Sequence, residues 1–186
     1  MRISFDLDSV IFDIEPLYIQ ANQEFGVKYK KPLYWSVKEC YPANVAERLI
    51  ELFKSDILYQ MPIISAEYPI ILNNLLQNDK YQVYFVTQRR LHQPEKSFAQ
   101  LRNAGINCRF DQVYDNPKPK VEVLKSINPD LHFDDSPNVV ADCLHHGVNI
   151  AMISNQNTLY NHHLRPHVQY YSDLKTALIK TGILQR

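Results

Sequence analysis

The chain has 186 residues, in which 20 Lys and Arg balance 20 Asp and Glu, so its formal net charge is zero. A neutral chain without a long basic run is a poor match for polymeric nucleic acid, and no apolar run is long enough to cross a membrane. The first residues lack the apolar core of a signal peptide, and three widely spaced cysteines predict neither a disulfide frame nor a zinc cluster. We therefore expect a cytoplasmic protein with reduced thiols, built as one domain or one domain with an inserted module.

The chain opens with a short apolar segment, Ile3 to Phe5, which leads into two aspartates, Asp6 and Asp8. In α/β folds, ligands lie beyond the carboxyl ends of parallel strands, so acids at the end of a strand indicate a metal or nucleophile site. Two carboxylates this close repel each other unless a cation or a chemical task holds them together. The alternative is a strand followed by an ordinary Asp-rich turn.

Residues 14–65 show helical periodicity and no predicted strand. Apolar residues recur at helical spacing from Ile14 to Phe25 and again from Val45 to Phe53. We therefore predict a small helical cap, residues 14–65, inserted after the first strand of a core that residues 1–13 and 66–186 form.

The remainder of the chain alternates between strand and helix patterns, which predicts a parallel sheet covered on both faces. The predicted strands lie at 81–86, 109–114, 131–133, 148–153 and 168–171. The predicted helices begin near 65, 94, 120, 136 and 172, the last two behind the N-cap residues Ser136 and Ser172. The predicted fold class is therefore α/β.

Polar side chains follow several of these strands. Asp6 and Asp8 follow the first strand, Thr87 ends the second, Asp134 and Asp135 follow a later one, and a lysine leads a helix. Because the carboxyl ends of parallel strands form one rim, these groups converge in one cleft. Carboxylates suit Mg²⁺, and metal, lysine and hydroxyl together neutralise the charge of phosphoryl transfer. Each residue alone has an ordinary structural explanation, but their joint order favours a site.

These residues resemble the four motifs of the haloacid dehalogenase superfamily of phosphatases. The matching segments are Phe-Asp-Leu-Asp-Ser-Val at residues 5–10, Phe-Val-Thr at 85–87, a helix-leading lysine, and His-Phe-Asp-Asp-Ser-Pro at 132–137. The resemblance covers the sheet domain and implies a Rossmann-like parallel sheet. It also implies an Mg²⁺ cofactor and a small phosphorylated substrate.

The resemblance also implies a role for each motif residue. Asp6 would be the nucleophile that accepts the phosphoryl group and a ligand of Mg²⁺. Asp8 would be the general acid/base and would give the metal its backbone carbonyl; an acid there favours a phosphatase over a dehalogenase. Thr87 would hold a phosphoryl oxygen. Asp134 would bind Mg²⁺, with Asp135 beside it in direct or indirect contact.

Three positions leave alternatives open. The motif lysine is Lys120 or Lys118, and the sequence around Lys120 is more similar to the family's helix start. Ser9 stands where the family usually has Gly, which affects the turn after the acids. Arg89 could contact the substrate phosphate through a bidentate fork, or it could be a surface arginine.

Within the superfamily, the cap position, the short chain and the Asp-Asp pair are similar to the cytosolic 5'-nucleotidases that act on deoxyribonucleotides. Six aromatic residues crowd the first part of the cap, and they either stack on a base or, as we favour, fill the seam between cap and core. They are Tyr18, Phe25, Tyr29, Tyr34, Trp35 and Tyr41. The histidines at 145, 146, 162, 163 and 167 are interpreted as surface residues.

The predicted function is an Mg²⁺-dependent phosphomonoesterase acting on a small phosphorylated metabolite, with a (deoxy)nucleoside 5'-monophosphate as the candidate. The alternative is a catalytically weak member of the family that binds a phosphorylated ligand or a protein partner. A receiver domain is disfavoured, because its acid pair lies early and its phosphate acceptor lies in mid-chain.

Overall fold

The computed structural model describes residues 1–115, 119–154 and 166–185. The strands in these ranges are β1 Arg2–Phe5, β2 Gln82–Thr87, β3 Val113–Asp115, β4 Leu131–Asp134, β5 Ile150–Ile153 and β6 Gln169–Tyr171. The α-helices are α1 Glu15–Glu24, α2 Val37–Cys40, α3 Ala43–Leu52, α4 Tyr68–Gln77, α5 Pro94–Asn103, α6 Lys120–Ile127, α7 Pro137–His145 and α8 Leu174–Lys180. Short 3-10 helices occupy Asp56–Gln60 and Phe110–Gln112.

The strands form one parallel sheet in the order β3-β2-β1-β4-β5-β6. Strand β1 is central, with Ile3 opposite Val83 on one side and Leu131 on the other. The chain leaves β1 toward β2 and later returns to the other side as β4, so the order reverses at β1. This reversal opens a crevice at the carboxyl end of β1, where α/β sheets bind ligands. The predicted α/β fold with a parallel sheet is confirmed.

Apolar side chains cover both faces of the sheet. Along β5, Ala151 and Ile153 belong to one buried cluster and Ile150 and Met152 to the other, because successive strand residues point to opposite faces. On the first face the Phe5 ring is stacked on that of Phe133, with ring centroids 5.3 Å apart. No helix in the described ranges combines the length and apolar character needed to span a bilayer.

The segment between β1 and α4 contains α1 and α3, where the periodicity predicts helices, together with the short α2 and a 3-10 helix, which it does not predict. The buried residues Leu17 and Ala21 of α1 and Leu49 of α3 belong to the same apolar cluster as Phe5 of the central strand. The helical segment therefore packs directly on the core of the sheet. Its boundaries as a cap module, residues 14–65, stay a prediction.

Two local predictions needed correction. Residues Phe110–Gln112 form a 3-10 turn rather than strand, because the Gln112 side chain accepts the Arg109 N–H and donates to the Val83 carbonyl. The N-cap of α8 is Asp173 rather than Ser172: its carboxylate accepts the Thr176 N–H at 2.7 Å. The predicted N-cap of α7 is confirmed, since the Ser136 side chain accepts the Val139 N–H.

Candidate active site

Three buried carboxylates meet at the carboxyl edge of the sheet. Asp6 follows β1, Asp134 ends the neighbouring strand β4, and Asp135 follows it. One oxygen from each lies within 4.8 Å of the others. The Asp6 N–H donates to the Phe133 carbonyl at 2.8 Å, which extends the pairing of β1 and β4 up to the acids and fixes their spacing.

Lys120 bridges two of these acids. Its Nζ lies 2.7 Å from Asp6 Oδ1 and 2.7 Å from Asp134 Oδ2, and the side chain is buried. The helix dipole disfavours a cation in the first turn of a helix. The ion pairs with the two carboxylates offset this cost and stabilise Lys120 at the start of α6. Burial alone lowers the pKa of Lys120, but Asp134 and Asp6 outweigh burial and raise it. Lys118 lies outside the described residues.

Both oxygens of Asp134 accept hydrogen bonds. Its Oδ2 accepts from Lys120 Nζ and lies 2.9 Å from His132 Nε2, and its Oδ1 accepts the Ser136 N–H at 2.8 Å. Burial raises the pKa of Asp134, but the attraction of Lys120 and the His132 bond outweigh it, so the pKa falls below its usual range. Asp134 is therefore ionised, and both of its oxygens already have partners.

His132 is a member of this site that sequence reasoning did not single out. Its Nδ1 lies 2.9 Å from Ser4 Oγ and its Nε2 lies 2.9 Å from Asp134 Oδ2, all within the core. Burial lowers the His132 pKa. With a proton on Nε2 the ring donates to Asp134, and its Nδ1 lies near both the hydroxyl and the carbonyl oxygen of Ser4. The alternation of strand residues was the available signal, since residues 132 and 134 share one side of β4.

The other two carboxyl groups, those of Asp6 and Asp135, have raised pKa values because their charged forms are disfavoured. Burial raises the pKa of Asp6 to about 7, with repulsion from Asp134 and Asp8 adding to the shift and Lys120 opposing it. Burial, together with repulsion from Asp6 and Asp134, also raises the pKa of Asp135 well above its usual range. A bound cation relieves this repulsion, and a set of buried carboxylate oxygens fits a hard divalent ion such as Mg²⁺.

Asp8 lies two residues beyond Asp6, in a tight turn that leads away from β1. The Leu7 carbonyl accepts the N–H groups of both Ile11 and Phe12, at 2.9 and 2.8 Å, and Ser9 is buried at φ 62. The Asp8 side chain is 22% exposed, so it faces the opening of the site. Both of its oxygens accept from Arg89, at 3.0 Å from Nε and 2.6 Å from Nη2.

Thr87 ends β2 beside this turn. Because Phe5 lies opposite Phe85, Thr87 extends to the level of the residues that follow β1, and it is buried at the same edge as the acids. The structure thus brings together Asp6, Asp8, Thr87, Arg89, Lys120, Asp134 and Asp135. It pairs Arg89 with Asp8 rather than leaving it on the surface; a contact of Arg89 with substrate phosphate stays a prediction.

The six cap aromatics divide into two groups. Tyr18 and Tyr41 are buried with ring centroids 6.0 Å apart, and half-buried Tyr29 donates to Glu15 at 2.7 Å. Phe25, Tyr34 and Trp35 are exposed. Packing therefore explains the first group, whereas the rings of the second group are exposed.

The histidines and cysteines are consistent with the sequence prediction where the structure describes them. His145, His146 and His167 are exposed, while residues 162 and 163 lie outside the described ranges. The three cysteines are free thiols.

No family model matches the sequence, and no curated protein matches it. Solved structures do match along its whole length. A haloacid dehalogenase-like hydrolase from Streptococcus pneumoniae is 17% identical with a TM-score of 0.63, and the match covers 97% of each chain. The chain has the haloacid dehalogenase-like fold.

Two further structures with this fold contain ligands. A haloacid dehalogenase family hydrolase from Deinococcus radiodurans holds phosphate and sodium; it is 15% identical with a TM-score of 0.64, over 99% of this chain and 97% of that one. A candidate haloacid dehalogenase hydrolase from Bacillus subtilis, bound to magnesium, is 13% identical with a TM-score of 0.54, over 100% and 98% of the chains. At these identities the likeness establishes the haloacid dehalogenase-like fold alone.

Proposed function

We propose that this protein is an Mg²⁺-dependent phosphomonoesterase that works through an aspartyl-phosphate on Asp6. The observation that carries the proposal is the buried Lys120 bridge between Asp6 and Asp134, with Asp135 within reach at the same edge. A lysine that holds Asp6 Oδ1 leaves Oδ2 as the attacking atom. The phosphate and magnesium bound by proteins of the same fold support this chemistry.

Asp6, Asp135 and the backbone carbonyl of Asp8 would hold the metal ion. Asp134 was expected to bind it directly and stays a candidate ligand, because one of its oxygens lies within 4.8 Å of oxygens of Asp6 and Asp135, while Lys120, His132 and Ser136 hold it in place. When bound, Mg²⁺ neutralises charge on the carboxylates and on the phosphoryl oxygens.

The side chains of this protein would carry two successive displacements at phosphorus. Asp6 Oδ2 attacks phosphorus, the bond from phosphorus to the leaving oxygen breaks, and Asp8 gives that oxygen its proton. Asp8 then takes a proton from water as that water attacks the aspartyl-phosphate, which releases phosphate and restores the Asp6 carboxylate. Thr87 would hold a phosphoryl oxygen, and Lys118 and Arg89 are further candidates for substrate-phosphate contacts.

We propose a (deoxy)nucleoside 5'-monophosphate as the candidate substrate. The exposed ring of Tyr34 in the cap supports this choice, because a flat aromatic face stacks on any base. Release of phosphate from nucleotides, sugar phosphates and an aryl phosphate tests the substrate class in one panel.

The first experiment measures phosphate release from that panel with Mg²⁺ or with EDTA, for the wild type, Asp6→Asn and the exposed control Asp142→Asn. We expect metal-dependent turnover that falls at least about 10³-fold in Asp6→Asn, because the nucleophile is lost, and stays unchanged in Asp142→Asn. Absence of turnover on every substrate, from a folded protein that binds Mg²⁺, would contradict the proposal. A ligand-binding member of the fold would then be the better interpretation.

A further inference from the structure

We infer that Arg89 is a positioning residue that aims the Asp8 carboxylate at the leaving group; this rests on the proposed function. Arg89 Nε donates to Asp8 Oδ2 at 3.0 Å and Nη2 donates to Oδ1 at 2.6 Å. A bidentate fork between two planar groups fixes the carboxylate in orientation as well as in distance. Asp8 is partly exposed in a turn of the chain, so it needs such a partner to hold one orientation.

The guanidinium is itself held on its other sides. Nη1 donates to Gln100 Oε1 at 2.8 Å and to Ser97 Oγ at 3.4 Å, and the group lies 4.8 Å from the centre of the Tyr59 ring. The Arg89 side chain is 1% exposed. Arg89 is therefore fixed independently of Asp8 and can serve as a rigid support for it.

The residues that hold Arg89 are fixed in turn. Gln100 Nε2 donates to the Met61 carbonyl at 3.0 Å, which turns the amide so that its oxygen faces Arg89. Ser97 Oγ donates to Asp115 Oδ2 at 2.8 Å, which leaves its lone pairs for Arg89. Two neighbours on α5 thus join the cap segment, the edge strand β3 and Asp8 in one buried network. Residues that support a positioning residue in this way hold the reacting group to within a fraction of an ångström of its productive position.

This network distinguishes positioning from contact with the substrate phosphate. Arg89 Nε, Nη1 and Nη2 donate four hydrogen bonds to protein acceptors, so at most one of the five guanidinium N–H groups is left for a phosphate oxygen. A phosphate contact would affect every substrate equally, because all substrates carry the same phosphoryl group. Positioning of Asp8 would affect only those substrates whose leaving oxygen needs a proton.

The test compares an alkyl phosphate with an aryl phosphate whose leaving group departs without protonation. The variants are Arg89→Lys, which keeps the charge but loses the fork, and Gln100→Met, which removes a support of Arg89. The matched control is Arg90→Lys at the exposed neighbour. The readout is kcat/KM, which includes every step up to loss of the leaving group.

We expect Arg89→Lys to lower kcat/KM about 100-fold for the alkyl phosphate and less than about 3-fold for the aryl phosphate. Gln100→Met is expected to show the same selectivity with a loss of about 10-fold, and Arg90→Lys no change. The unfolding midpoint of each variant identifies a loss that comes from misfolding, and Gln100→Met tests the inference should Arg89→Lys fail to fold.

Equal losses on both substrates would overturn the positioning role of Arg89 while leaving the proposed function in place. An equal rise in KM on both, with weaker inhibition by inorganic phosphate, would assign Arg89 to phosphate contact instead. A wild type that hydrolyses neither substrate would overturn the proposed function itself, and the inference with it.

Discussion

Ser9 occupies left-handed backbone directly after the acid pair, with φ 62 and a fully buried side chain. That conformation costs a non-glycine residue about 1–2 kcal/mol, which explains why proteins with these motifs usually carry Gly there. Ser is small enough to be accommodated at this position. The presence of Ser instead of the usual Gly therefore leaves the turn intact. The turn aims Asp8, so strain at Ser9 lies next to the proposed chemistry.

Ser9→Val is expected to lower the free energy of unfolding by about 2–4 kcal/mol, because a β-branched residue at positive φ is strained and the site has no spare volume. Ser9→Gly is expected to stay within about 1 kcal/mol of the wild type, since relief of strain offsets greater freedom in the unfolded chain. Urea unfolding measures both. Ser36→Val, at φ −75 in extended backbone, is the control; an equal cost at both positions would refute the explanation.

At the scale of elements, the capping residue determines where a helix begins more strongly than the composition of the segment does. Helix α8 begins directly after its N-cap Asp173, whose carboxylate accepts the Thr176 N–H and the Thr176 hydroxyl, each at 2.7 Å. Ser172, the predicted cap, donates its hydroxyl to Asp173. Adjacent Ser and Asp are both good N-caps, so the sequence alone could not distinguish them.

Asp173→Ala is expected to lower the free energy of unfolding by about 1 kcal/mol at pH 7, and Ser172→Ala by less. Burial raises the pKa of Asp173, but the bonds from Thr176 and Ser172 outweigh it and lower the pKa. This carboxylate therefore stabilises the fold above its unfolded-state pKa, and the contribution is lost as the pH falls through the lower folded-state pKa. Urea unfolding at pH 7 and at pH 3 checks this; a larger effect from Ser172→Ala would restore Ser172 as the cap.

The elements themselves were largely predictable, because hydrophobic period is a local property. Strand and helix alternation located β2, β4 and β5, and the motif residues at their ends indicated the acid cluster. The partner of Asp8 was not predictable, since Arg89 lies 81 residues away and a surface arginine has the same local sequence. Nor could any local pattern place Gln100 or Ser97 against Arg89. Contacts between residues that are far apart in the sequence can be identified only once the fold is known.

At the scale of the whole molecule, the acid cluster makes the metal-free protein sensitive to pH. Asp6 has a pKa raised to about 7 in the folded state, so the folded protein keeps this proton where the unfolded chain releases it. This group therefore contributes stability below its ordinary pKa, and the contribution is lost as the pH rises toward about 7. A metal ion must displace the proton to bind Asp6, so metal binding and proton release are linked.

We expect Mg²⁺ to raise the Tm of the protein, and to raise it more at pH 7.5 than at pH 5. Apparent affinity should fall by at most about tenfold for each pH unit below the Asp6 pKa for every proton that competes with the ion, and both Asp6 and Asp135 have raised pKa values. Thermal unfolding with and without Mg²⁺ measures the shift, and calorimetry in two buffers measures the released proton. Asp6→Asn should weaken this pH dependence; an Mg²⁺ effect equal at both pH values in the wild type would contradict the linkage.

The central position of β1 also has a bearing on how the chain is made. Residues of β1 pair with partners 80 residues later in β2 and 128 residues later in β4. At about 5–20 residues per second, a ribosome delivers those partners several seconds to tens of seconds after β1. Until then the buried segment Ile3 to Phe5 has no strand to pair with, and such long-range parallel pairing is intrinsically slow. Asp6 can therefore meet Asp134 only after β4 has been synthesised, so the candidate active site cannot form while the chain ends before that strand.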